Sequence, residues 1–129
     1  MRANRCELDL RLIQRASERI AEINATLDLA VAGARSEAER MRLLREATNQ
    51  IVRLANDAVQ AYGRATRGLR LDDEAGRGSD AGRERMRELL QIARATVLAE
   101  LEQASHRYPW AGPWKGPPTG ETVERAATG

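Results

Sequence analysis

Phenylalanine is absent from this 129-residue chain, and lysine, histidine and cysteine each occur once, as Lys115, His106 and Cys6. A single cysteine excludes an intrachain disulfide, and with only one histidine beside it there is no ligand set for a zinc finger or a His-pair metal site. Di-iron bundle chemistry, which draws a Glu-x-x-His motif from each of two helices, is excluded by the same count. A Ser-His-Asp or Cys-His centre would have to be built on His106. Long apolar runs are also missing: the longest charge-free stretches are only a handful of residues, such as Leu29 to Ala34, against the roughly 20 residues of a membrane span. The opening Met-Arg-Ala-Asn-Arg-Cys-Glu has no apolar signal-peptide core. The expectation is a soluble chain of the cytoplasm or of a virion, away from membrane. No Gly-x-x-x-x-Gly-Lys-Ser/Thr pattern occurs, so no nucleotide cofactor is implied.

What the chain has in quantity is alanine, 22 residues, and arginine, 20 of its 21 basic residues. The alanines, with few β-branched residues and four aromatics, favour helix over sheet. The arginine bias reads as GC-rich codon usage, and a net charge of +2 is too small for a dense polycation.

Apolar positions Ile13, Ala16, Ile20, Ile23, Leu27, Ala30 and Ala34 follow the alternating three-and-four spacing of one helix stripe. Asn4 with Glu7 is a start signal, and the first helix is expected over about 5–32. Gly33 is read as a left-handed cap, followed by a Ser36-x-x-Glu39 capping box that opens the next helix. That helix, about 37–67, carries Met41, Leu44, Thr48, Ile51, Ala55, Ala58, Tyr62, Ala65 and Leu69, widened by Ala47, Leu54 and Ala61. Gly63 marks either a close helix crossing or fraying. Glycines 68, 76, 78 and 82 around Asp72, Asp73 and Glu74 read as a long, solvated loop. The acidic run lacks the alternating oxygen ligands of an EF-hand. Ser79 or Asp80 then caps a third helix over about 81–106, with Met86, Leu90, Ala93, Val97, Leu101 and Ala104 on its seam and Leu89 and Leu98 beside it. The expected fold is all-α: an elongated, coiled-coil-like antiparallel three-helix bundle over 1–107, thin because its seams are rich in alanine, and followed by an extended tail over 108–129.

The tail has a different character. Tyr108-Pro109-Trp110-Ala111-Gly112-Pro113-Trp114-Lys115-Gly116-Pro117-Pro118 holds all four prolines and three of the four aromatics, with Pro-Trp-x-Gly in tandem. Tryptophan is costly to leave in water, and proline reduces the entropy lost when an extended strip docks. Tyr108, Pro109, Trp110, Pro113 and Trp114 are therefore the candidate partner-binding residues, whether the receptor is this bundle, a symmetry copy or another protein.

Other constellations carry less. Arg35, Arg42, Arg53, Arg64 and Arg67 share one face of the second helix, but Glu39, Glu46 and Asp57 flank it, with Arg42–Glu46 and Arg53–Asp57 at ion-pair spacing. Arg64, Arg67, Arg70 and Arg77 form the unpaired basic cluster, the candidate nucleic-acid contact. Glu102 and His106 lie four residues apart near a helix C-terminus, where a cation complements the dipole without a ligand. Cys6 sits at a helix start, which can lower a thiol pKa, but ordinary partial burial is the safer reading. The sequence thus favours a non-enzymatic structural or adaptor protein that oligomerises or joins a larger assembly through its helix seams and tail. A virion head–tail adaptor, head-completion or accessory capsid component has this character. A small DNA-packaging or regulatory protein is the alternative.

Overall fold

The computed structural model describes residues 5–107 as three helices, α1 (Arg5–Ala32), α2 (Glu37–Ala75) and α3 (Asp80–Arg107). Asn4 and the tail with Tyr108, Pro109, Trp110, Pro113 and Trp114 lie outside the described residues. The helices pack against one another around one core, so the all-α three-helix bundle is the observed architecture. Two short turns reverse the chain twice, which makes α1 and α3 parallel to each other and antiparallel to α2.

Ser36 opens α2 in extended backbone, its hydroxyl accepting the Glu39 N–H at 3.1 Å. The Glu39 carboxylate reaches back to the Arg35 N–H at 3.2 Å, so the return half of the capping box lands one residue early. Gly33 is not the left-handed cap: among the described residues only Gly76 and Gly78 have positive φ. The tight Ala34 N–H to Val31 carbonyl bond, 3.1 Å, already closes the turn, and a left-handed residue is not needed there.

The end of α2 departs most from expectation. No loop begins at Gly68; the helix continues to Ala75, with Leu69 buried. Glycine in a helix costs about 1 kcal/mol, and burying a leucine returns about 1.5–3 kcal/mol. Gly76, at φ 65°, is the left-handed terminator. Its N–H donates to the Asp73 carbonyl at 3.2 Å, and the Arg77 N–H donates to that of Asp72 at 2.9 Å, the two bonds of a Schellman motif. Ser79 then caps α3, accepting the Gly82 N–H at 3.0 Å.

The α1 seam from Ile13 to Leu27 is buried as expected and extends forward to Leu10 and Cys6, whereas Ala30 is exposed. On α2, five of the eight buried residues are alanine, each contributing one methyl where a leucine would contribute four carbons. On α3 the buried apolar residues are Leu90, Ala93, Val97 and Ala104. The α1–α2 interface is the most extensive and the α2–α3 interface the least. Gly63 is neither a crossing point nor a fray: nothing lies within 4 Å of where its Cβ would stand, and the helix passes through it unbroken.

Candidate functional site

Polar contacts hold α3 where apolar ones are sparse. Asn24, 4% exposed on α1, donates from Nδ2 to the Glu100 carbonyl at 3.2 Å and to its Oε1 at 3.4 Å. Gln91 donates to the Tyr62 hydroxyl at 3.0 Å, and the Arg94 guanidinium lies 5.7 Å from the Tyr62 ring centroid. At the α2–α3 turn, Arg83 is the centre of a clasp. Its side chain, only 10% exposed, is ion-paired with Asp73 and Asp80 and donates to the backbone carbonyls of Arg77 and Gly78. Arg87 pairs with Asp73 as well. The acidic run read as a solvated loop is therefore helical, and Asp73 is its anchor to α3. Sequence reasoning missed Arg83; its signal was the Asp80-x-x-Arg83 spacing directly after a turn.

The basic cluster at the end of α2 is partly committed within the chain. Arg64 donates to Asp9 Oδ1 on α1 through Nε and Nη2 at 3.2 and 3.1 Å, and Arg77 lies 3.9 Å from Asp72. Their reading as unpaired is corrected by these contacts, which span α1 and the helix end that had been read as loop. Arg67 and Arg70 are exposed and make no ion pair among the described residues. Arg64 and Arg67 border a recess of about 430 Å³ whose other lining residues are Arg5, Cys6, Leu8, Asp9, Gly68 and Leu71, an apolar floor rimmed by three guanidinium groups and one carboxylate. Along the shared face of α2, Arg42 pairs with Glu46 at 3.2 Å, whereas Arg53 and Asp57, both exposed, do not pair.

Cys6 is buried, its thiol donating to the Ala65 carbonyl at 3.6 Å. Burial pushes its pKa up, and the nearby Asp72 and Asp9 carboxylates push it further. The lowering that a helix start would provide is not realised. His106 Nε2 stands 3.5 Å from Glu102 Oε1, both side chains largely exposed on the open surface of α3, with no other ionisable group joined to the pair among the described residues. No group of three His, Cys, Asp or Glu side chains that could hold a metal occurs among those residues, and none of the helices is long and apolar enough to cross a membrane.

Large aliphatic side chains are left in water on every helix: Leu8, Leu12 and Leu29 on α1, Val59 and Leu71 on α2, Ile92 and Leu98 on α3. Comparison of the chain with family models, curated proteins and solved structures yields no match.

Proposed function

We propose that this protein is a non-enzymatic structural or adaptor subunit that self-associates or packs into a larger assembly, using its exposed helix faces and the Pro/Trp tail as a docking strap. The observation that carries this reading is the mismatch between a thin, alanine-rich core and the large aliphatic side chains left outside it, Val59 at 70% and Leu29 at 78% exposed. Burying such side chains against a neighbour contributes about 1.5–3 kcal/mol each, as much as the best positions of the bundle's own core. A head–tail adaptor, head-completion or accessory capsid component of a virion is the kind of assembly subunit this describes.

Sedimentation velocity over a wide concentration range tests the reading. The full chain is expected to associate, and Trp110→Ala/Trp114→Ala to change its association or its stability. A monomer at every concentration, with the double variant indistinguishable in every partner interaction, defeats it. Nucleic-acid binding is the second reading, favoured by Arg67 and Arg70 standing exposed without ion pairs. It requires binding that weakens steeply with salt and on Arg67→Ala/Arg70→Ala.

A further inference from the structure

The least extensive interface of the bundle, α2–α3, leaves an apolar strip open along its outer side. The Tyr62–Gln91 hydrogen bond fixes which faces meet there. On α2, Val59 and Val52 precede Tyr62 by three and ten residues, and on α3 Ala95 and Leu98 follow Gln91 by four and seven, spacings that keep each set on one stripe. Val59 is 70% and Leu98 47% exposed; Val52 and Tyr62 are half-buried, and Ala95 is exposed. Arg94 over the Tyr62 ring adds a cation of the kind that aromatic rings accept.

We infer that this strip is the receptor for the chain's own Pro-Trp-x-Gly segment, with Trp110 placed at Val52 and Trp114 at Val59 and Leu98. The inference rests on the reading of the tail as a docking strap and names the surface it docks on. Chain length supports it. The segment follows Arg107, and by the Tyr62–Gln91 register Val52, Leu98 and Val59 lie about 9, 14 and 20 Å back along the bundle axis. Trp110 and Trp114 are three and seven residues beyond Arg107, within reaches of about 10 and 25 Å. Four residues of polyproline-like chain separate the indoles by about 12 Å, and seven helical residues separate Val52 from Val59 by about 10 Å. Proline cannot continue a helix and glycine permits a change of direction, so the residue types at Pro109 and Gly112 are compatible with the reversal this docking requires. One competing apolar surface, the recess between Leu8 and Leu71, is out of range: by the Tyr62–Gln91 register Leu71 lies about 37 Å from the level of Arg107. A tethered segment also acts at an effective concentration on the order of millimolar, which favours it over the same strip of a second copy in dilute solution.

Trp110 and Trp114 are the only tryptophans in the chain, so indole fluorescence reports this segment alone. The full-length protein, diluted until sedimentation shows monomer, is expected to emit with the blue shift of buried indole and to resist acrylamide quenching. Val59→Glu/Leu98→Glu is expected to red-shift the emission and raise the quenching constant several-fold, with far-ultraviolet circular dichroism unchanged because both side chains are exposed. Leu71→Glu, in the recess that the segment cannot reach, leaves emission and quenching as they are. Solvent-exposed indoles in the monomer overturn the inference, as does a blue shift that the double variant does not relieve or one that develops only as concentration rises. Association is read separately: a chain that never associates but shields its indoles retains this inference and loses the assembly reading, and the reverse outcome does the opposite.

Discussion

The α1–α2 hairpin and α3 are built from the same alphabet but held by different forces. In the hairpin, Ile13, Ile20 and Ile51 are fully buried and alternate with alanines that let the two backbones approach closely. The third helix contributes one large, fully buried side chain, Leu90, supported by Ala93, Val97 and Ala104. Its position is fixed instead by Asn24–Glu100, Tyr62–Gln91 and the Arg83 clasp. Hydrogen bonds and partly exposed ion pairs yield less net stability than apolar burial of comparable extent, yet they specify register, because each demands one geometry. The hairpin supplies the stability of the fold, and α3 is docked on it with its outer flank still open.

Cavity formation probes the contrast most strongly. Ile20→Ala is expected to cost about 3–4 kcal/mol and Val97→Ala about 2 kcal/mol, read as shifts in the denaturation midpoint; equal costs would erase the distinction. The clasp is next. Arg83→Met removes one of the two partners of Asp73 and the partner of Asp80 and frees two turn carbonyls, with an expected loss of about 1–3 kcal/mol, discounted from a fully buried ion pair because Arg87 still pairs with Asp73 and Asp80 stands in water. The loss should appear as faster amide exchange at the start of α3 and leave the middle of α1 protected.

Two glycines of α2 give smaller, opposite effects. Gly63→Ala meets open space and should stabilise the protein by about 0.5–1 kcal/mol. Gly76→Ala forces a left-handed backbone on a residue with a Cβ and should cost about 1 kcal/mol or more. Thermal unfolding of the pair checks both signs. The smallest effect concerns Cys6. Its folded pKa is raised, so above the ordinary thiol range the unfolded chain loses its proton first. Stability is therefore flat below that range and declines as pH climbs through it toward the folded pKa. Cys6→Ser should flatten the alkaline limb of the stability–pH profile.

Periodicity made the hairpin legible, because Ile13 to Leu27 and Leu44 to Leu69 repeat at helical spacing and Ser36 with Glu39 marks a start by local chemistry. The other end of α2 was illegible for a definite reason. Four glycines between 68 and 82 look alike in sequence, yet only Gly76 and Gly78 adopt the conformation that needs glycine. Gly68 is an ordinary helical residue facing Cys6. What holds that end, Asp73 to Arg83 and Arg87, is a contact between helices separated by a turn, and spacing along a single helix does not reveal it. The same limit applies to Arg64, whose partner Asp9 is 55 residues away. The candidate partner-binding tail was visible from composition, but the strip proposed to receive it emerges only once α2 and α3 are placed side by side.

Of the three helices α3 is the one held by the fewest large buried side chains, and the Pro/Trp segment is proposed to complete its docking. Native-state amide hydrogen exchange on the full chain and on Trp110→Ala/Trp114→Ala tests it most directly, since exchange resolves opening helix by helix. Protection is expected to be lower in α3 than in the cores of α1 and α2, with a further drop confined to α3 and the facing stripe of α2 in the double variant. Uniform protection across the three helices, unchanged by the two substitutions, would contradict it.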